Sequence, residues 1–584
     1  MAVLEDIKEL PRFYVLKSKK CAYVRTYRNV RKKDSKGKSV AVKDPGSCKT
    51  VGRISDPGGF GPVSFTPEFL EERPDLTHVN VIRCHDGKDG ALAWKITPKM
   101  PEDTIRRPKS FTYTRFGAVL AFVKILKKDP AVRVLTKTFG RNRASFMISY
   151  AMYLALCPEG RPAGYARFAS ETWLPDRSAL SPSQICRNFQ GITEAEIAGF
   201  FSDYMQELSA SRKMQHRRFW ALDSTSESTY SRNLSLASRG RNKQGEALPQ
   251  INIVLLTDER TGVPVFYQAY DGSVPDVATV GGLCRRIKLL QPLSFVAVMD
   301  RGYYSHENLA DFYHYGLHFV CCVPRGRTSL FNDAISRAEL KFLKGFGFDT
   351  VCKRFCYGEN REFEYSSDGV SYKTALHVHV YFSEKVLADE REEIMYKKSK
   401  LSGLLRSGVT PDQGMKDFIS DFCDLNEYGQ PVFSTKKYQE NCRYLGYLVL
   451  ISDCIESDRA ACRAYQKRQK VEDCFRTVKD RMNCRRPGVS TDEALCGKVF
   501  IQYLALGLYM RLEKGLEDAR DSGGAPCNSL AQLLGELNAI SQLTLDTSDQ
   551  SVLNPVSAMQ RKCLALYDLT VPENGVPYEA DVWG

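Results

Sequence analysis

RRFWALD, residues 217–223, reads as an apolar strand that ends in a carboxylate at Asp223, and the small and polar residues STSES (224–228) follow it. Downstream, QINIVLLTD (250–258) and VPVFYQAY (263–270) read as two further strands, paired around an Arg-Thr-Gly turn. A helical pattern follows near 278–290. LSFVAVMD (293–300) then repeats the first theme, an apolar run closed by Asp300 and followed by RGYYS. HENLADFYHYG (306–316) reads as a helix and LHFVCCVP (317–324) as a strand.

Three strands, helix, strand, helix, strand is the order of a mixed α/β sheet of the ribonuclease H type. In such a sheet the first and fourth strands are neighbours, which places Asp223 beside Asp300. Two adjacent ionised carboxylates repel, and one keeps its proton unless a cation sits between them. A Mg²⁺ ion accepts that environment: one or two carboxylates, with water and phosphate oxygens completing its shell.

The helices expected to complete the sheet are delayed. The stretch from about 326 to 440 reads as a separate block, with strands in TVCKRFCYG, REFEYSS and YKTALHVHVYF and a charged helix near 383–406. The sheet resumes at YLGYLVLISD (444–453) and leads into YQKRQKVEDCFRTVKDRM (465–482). At roughly 100° per residue, Tyr465, Arg468, Glu472 and Lys479 fall within about 60° of one another on one helix. Val471, Phe475, Val478 and Met482 form an apolar stripe beside them. The plainer reading is a solvated face with an Arg468–Glu472 pair worth a few tenths of a kcal/mol. The other is that Glu472 joins the two aspartates, so that the site holds two ions roughly 3.5–4 Å apart. Arg468 would then grip a phosphate, Lys479 add a point charge and Tyr465 donate to a phosphate oxygen.

The expected fold class is therefore α/β: a ribonuclease H-like mixed sheet interrupted by a β-rich insertion, with a basic β-rich N-terminal region and a helical N-terminal domain. The boundaries expected are a DNA-binding region at 1–105, a helical DNA-binding domain at 106–212, the catalytic core at 213–325 and 441–515, the insertion at 326–440, and a C-terminal tail at 516–584. Between Lys17 and Lys43 there are eleven Lys or Arg against one Asp, interleaved with aromatics, as suits a surface lying along phosphates. That stretch reads as two strands around a DSKGK turn. Farther on, SPSQ (181–184) and TEAE (193–196) are helix-start signals separated by Gln190-Gly191.

A net charge of +14 in 584 residues favours a polyanionic partner, nucleic acid before membrane. No signal peptide opens the sequence, and the apolar run at 499–512 is too short to span a bilayer, so the expected location is cytoplasmic. The nineteen cysteines include no CxxC pair, and they read as reduced core thiols. His377 and His379 share one face of a strand and read as packed or solvent-facing residues rather than metal ligands.

These residues resemble a known family. Tyr465, Arg468, Glu472 and Lys479 fit the Y-x2-R-x3-E-x6-K signature of a large group of bacterial DDE insertion-sequence transposases. FWALDSTSES and VMDRGYYS resemble that group's two aspartate motifs, and YDGSVPD (270–276) resembles its Gly-x-x-x-Asp segment. The resemblance covers about 180 to 515. It implies metal ligation by Asp223, Asp300 and Glu472 and DNA phosphate contacts by Tyr465, Arg468 and Lys479. It also implies two Mg²⁺ ions (Mn²⁺ able to substitute), double-stranded DNA as inverted-repeat ends and target, a homodimer in the synaptic complex, and a nucleoid-associated protein. The sequence departs from relatives that flip a base with a tryptophan near the signature helix, since Gln469 follows Arg468 here. Three other functions fit parts of the pattern: a nuclease or resolvase on the same core, a domesticated non-catalytic DNA-binding protein, and a glycosidase using Asp300 and Glu472. The positive charge and the cationic stripe argue against the last.

Overall fold

Alternating apolar residues and closely spaced turn signals in the first hundred residues form small antiparallel sheets. The computed structural model describes residues 9–33, 35, 37–77, 79–85, 92–98, 111–158, 160–210, 218–240, 246–290, 295–326, 328–345, 347–367, 369–407, 411–477, 486–545 and 551–583. It divides into one compact unit of residues 1–111 with 545–547 and another of 112–544 with 548–584. In the first unit, Phe13–Lys17, Ala22–Thr26, Lys49–Ile54 and Ser64–Phe65 form a four-stranded sheet. Ala22, Val24, Val51, Ile54, Phe69, Leu76, Val79 and Val81 make its core. Where two strands were expected around the DSKGK turn there are four. The strands on either side of DSKGK, Asn29–Lys33 and Ser39–Lys43, pair with each other alone, and Asp34 and Lys36 between them lie outside the described residues.

The second unit is built on a nine-stranded mixed sheet. Its spatial order is Pro264–Asp271, Gln250–Asp258, Arg218–Ser228, Phe295–Met299, His318–Cys322, Tyr447–Ser452, Val370–Phe382, Arg354–Ser367 and Phe348–Asp349. The first five strands in chain order are those expected, with the helices Asp276–Leu289 and His306–Tyr315 between them. The first strand pairs antiparallel with the second and parallel with the fourth.

The 326–440 stretch departs from expectation because it does not stand apart from this sheet. TVCKRFCYG and REFEYSS fall largely within one long strand, and the hairpin that this strand makes with Val370–Phe382 is hydrogen-bonded to Tyr447–Ser452. Its inner strand buries Leu376, Val378, Val380 and Tyr381, apolar positions that a lone hairpin would leave wet. The expected charged helix is Glu384–Ser407.

Six helices between Gly117 and Ala210 precede the sheet. Both helix-start signals act as read: Ser181 and Gln184 form a reciprocal capping box, and Glu196 accepts from the Thr193 N–H at 3.0 Å while Thr193 Oγ1 accepts from the Glu196 N–H at 3.3 Å. The apolar run at 499–512 lies within the buried helix Asp492–Asp521, which packs on Arg141–Leu156 and Pro182–Gln190. Gly497 permits that approach, because a side chain there would collide with the Phe189 carbonyl. Residues beyond 521 are more than a tail. Leu530, Leu533, Leu537, Ile540, Cys563, Val576 and Val582 join the main core, and the Ile540 carbonyl accepts the Phe116 N–H at 3.0 Å. Among the described residues no helix is long and apolar enough to cross a membrane.

Candidate active site

The parallel register of the first and fourth strands ends with Leu222 opposite Met299. Asp223 and Asp300 are the next residues out and lie side by side. Asp300 stands at the carboxyl end of its strand, whereas Asp223, expected to close its own, lies within Arg218–Ser228, which runs on for five more residues paired to the second strand. Asp223 Oδ1 accepts the Ser224 N–H at 2.8 Å. Asp300 leaves its strand and caps a single 3-10 turn, Arg301–Tyr303, with Oδ1 accepting the Arg301 N–H at 2.8 Å.

Glu472 arrives from the far side of the 326–440 stretch. The single helix expected at 465–482 is two, Asp458–Lys467 and Gln469–Arg476, with a turn at Arg468. Arg468 keeps right-handed helical backbone angles (φ −55°, ψ −23°), so the phase survives the break and Tyr465, Arg468 and Glu472 still face one way. Cys474 is fully buried, and its thiol donates to the Gly262 carbonyl at 3.2 Å. Lys470 ties the second helix to Glu517 at 2.9 Å. Lys479, Val478 and Met482 lie outside the described residues.

The three carboxylates converge on one guanidinium. Arg468 Nη1 lies 3.3 Å from Asp223 Oδ2, while Nη2 lies 2.9 Å from Glu472 Oε1 and 3.9 Å from Asp300 Oδ2. The i, i+4 pair with Glu472 is therefore present, but as one part of a four-residue cluster rather than as a solvated bridge. Burial works against the Arg468 charge, yet Asp300, Tyr465, Asp223 and Glu472 together raise its pKa. Side-chain exposure grows outward, 13% at Arg468, 17% at Asp223, 36% at Asp300 and 41% at Glu472, so the acidic groups open to solvent while the cation lies behind them. Tyr465 donates to Asp300 Oδ1 at 2.9 Å. Burial raises its pKa, with Cys322 and Asp300 adding to the effect, so the phenol stays protonated and able to donate.

Two supporting contacts were not legible in the sequence. Gln469 Nε2 donates to Glu472 Oε2 at 2.8 Å, which fixes the carboxylate oxygen that Arg468 leaves free. Asp276, the last residue of YDGSVPD, accepts the Ser224 hydroxyl and so braces the residue after Asp223. The motif flagged Asp276, but its partner depends on how the first strand meets the 276–289 helix.

An all-carboxylate oxygen set with two members on adjacent strands suits a hard divalent ion, and the position now held by a guanidinium is one that tolerates positive charge. Another group with metal-ligand chemistry among the described residues, His318, Asp453 and Cys454, lies elsewhere. His318 begins the strand parallel to Phe295–Met299, at the opposite end from Asp300. Asp453 there accepts from His318 Nδ1 at 2.6 Å and from the Phe319 N–H at 2.8 Å, clamping two strand ends together. His377 and His379 are packed as expected. The first bonds to Asn360, and the second to Asp458 and to the Ile455 carbonyl. Every described cysteine is a free thiol.

A family model described as "Transposase DDE domain" matches residues 215–508, which is half of the chain and includes every residue of this cluster. The chain belongs to the DDE transposase family. Membership sets aside the glycosidase alternative and agrees with the large mixed sheet. Among solved structures, a piggyBac transposase synaptic complex with hairpin DNA is similar at 12% identity and a TM-score of 0.31, over 72% of this chain and 79% of that one; a likeness this distant says nothing of this chain's own chemistry. No curated protein matches the sequence.

Proposed function

We propose that this DDE transposase binds the terminal inverted repeats of an insertion sequence, cleaves the DNA ends and joins the freed 3′-hydroxyl strands to target DNA. The observation that carries the reading is the convergence of Asp223, Asp300 and Glu472, from three distant parts of the chain, on a single cation within 3.9 Å of each. These carboxylates would hold two divalent ions, Mg²⁺ with Mn²⁺ able to substitute. Bound there, such ions activate water or a 3′-hydroxyl and stabilise the leaving oxygen. Asp223 and Asp300 fix the site on rigid strands, and Glu472 closes it from the helix. Tyr465, Arg468 and Lys479 contact DNA phosphates, the first as a neutral donor and the other two as cations. The basic residues of 17–43 and the helices of 106–212 contribute DNA binding, and the protein acts as a homodimer when two ends are brought together, in association with a bacterial nucleoid.

The test is a strand-transfer gel with end-labelled duplexes from the element's own termini, with Mg²⁺ or Mn²⁺. Joined products are expected from the wild type, and nicking without joining would favour the nuclease reading. Asp300→Ala should reduce cleavage at least 1,000-fold while end binding changes less than threefold. Cleavage that survives the substitution would remove Asp300 from the metal site.

A further inference from the structure

Four strands between Ala22 and Ile54 pair as two successive antiparallel sections. The inner section pairs Ala22–Thr26 with Lys49–Ile54 inside the four-stranded sheet, and the outer section pairs Asn29–Lys33 with Ser39–Lys43. The joint between them is fixed. The Asp44 N–H bonds to the Arg28 carbonyl at 2.9 Å and the Arg28 N–H to Ser47 Oγ at 2.9 Å. The Lys43 ammonium lies 2.7 Å from the Tyr14 ring centroid and 5.0 Å from that of Tyr27. Beyond this root all ten residues of the outer section are exposed and belong to a sheet of only two strands. A two-stranded ribbon without a core is ordinarily marginal in water, so its retention as an arm calls for a reason.

The register sorts its side chains. Val30 stands opposite Val42 and Lys32 opposite Val40, so one face carries a cross-strand valine cluster. Such β-branched pairs stiffen a ribbon without burying it. The other face carries Asn29 opposite Lys43, Arg31 opposite Ala41 and Lys33 opposite Ser39. Arg31 and Lys33 have no carboxylate partner among the described residues. This polar face presents an arginine and an asparagine, the side chains that read guanine and adenine bidentately, on a ribbon narrow enough for the roughly 12 Å major groove. At about 3.4 Å per residue, five residues span about 17 Å, the rise of about five base pairs.

We infer that the ribbon of Asn29–Lys33 and Ser39–Lys43 enters the DNA major groove with Asn29, Arg31 and Lys33 toward the base edges. This deepens the proposed function, since it rests on duplex DNA being the substrate, but it does not depend on the metal chemistry. The small alanine opposite Arg31 leaves room for the guanidinium to lie flat, and Ser39 beside Lys33 can donate or accept. The root clamped at Tyr14 and Tyr27 sets the direction in which the arm leaves the sheet, so base contacts would be made in one register rather than by a loose basic tail.

The experiment is dimethyl sulfate footprinting, which reads guanine N7 in the major groove, with the full chain on a 60-bp duplex taken from the DNA flanking its coding sequence. Wild-type protein should protect guanines within a window of about five base pairs. Asn29→Ala/Arg31→Gln/Lys33→Gln should lose that protection, and its log–log salt slope should fall by about 2 through loss of two cations. Lys341→Gln/Lys344→Gln, two exposed lysines outside the regions assigned to DNA binding, should keep the protection, and all three proteins should keep the same urea midpoint because the altered residues are exposed. No protection by the wild type, protection unchanged in the triple variant, or a reduced salt slope with the N7 pattern intact would each overturn the inference. Tighter binding to single-stranded RNA of the same sequence would also overturn it. Asp300→Ala keeps the arm and should give the wild-type footprint, so a failure of the proposed chemistry remains distinguishable from a failure of the arm.

Discussion

Arg468 holds three carboxylates that would otherwise repel one another, and so it keeps the site assembled when no divalent ion does. The same charge would compete with an ion entering the proposed site. At an effective dielectric near 20, a unit charge about 4 Å from a divalent ion opposes its binding by several kcal/mol. A phosphate that drew the guanidinium away would lift that opposition, which couples metal affinity to DNA. Arg468→Gln is therefore expected to bind Mn²⁺ at least tenfold more tightly than wild type in the absence of DNA, and to lose strand transfer. Titration followed by the free-Mn²⁺ paramagnetic resonance signal measures the first effect. Weaker binding by the variant would mean that the guanidinium serves only to hold the carboxylates in place. The acidic residues were legible because each closes an apolar run or sits at a fixed spacing from Tyr465 and Arg468. The guanidinium's position among them was not, because sequence spacing gives the face of a helix but not what lies across from it.

Among the elements, the two strands that carry the aspartates were readable from hydrophobic pattern, and their parallel pairing puts Asp223 beside Asp300. The first strand's end was not readable, because it runs on through STSES to Ser228 by pairing with the second strand. The turn at Arg468 was not readable, since nothing in QKRQKV interrupts a helical pattern. A consequence of this packing sits one strand away. Glu259, just beyond the end of Gln250–Asp258, is 3% exposed, and burial raises its pKa to about 8 despite Lys467 nearby. Between its ordinary value of 4.5 and about 8 the folded protein holds this proton while the unfolded chain has released it. Stability from this group is therefore greatest below pH 4.5 and falls as pH rises to 8, by a total on the order of 5 kcal/mol. Glu259→Gln should remove that dependence. Urea midpoints between pH 6 and 9 are expected to fall less in the variant than in wild type, and parallel curves would show that the carboxylate is ionised in the fold.

At the scale of the whole molecule, long-range pairing was the least legible feature. REFEYSS alternates like an exposed hairpin, and only the hydrogen bonds from Val370–Phe382 to Tyr447–Ser452 show that the same sheet continues through it. The segments after 521 looked slight because each is short, yet LAQLLGELN buries four leucines and packs on the helices Gly117–Leu126, Asp492–Asp521 and Ala558–Ala565. By contrast, the basic N-terminal region was recognised by composition, and it has its own small core. If that core suffices, the two units can be separated by function. Residues 1–111 expressed alone are expected to melt cooperatively by circular dichroism and to bind duplex DNA with a steep salt dependence, but to cleave nothing with Mg²⁺. Residues 112–584 carry Asp223, Asp300 and Glu472 and the core that positions them. They are expected to nick the same duplex in Mn²⁺ while binding it at least tenfold more weakly and with a shallower salt slope than the full chain. Equal affinity in the larger fragment would locate end recognition in the helices of 112–210 and leave the basic strands without a role in it.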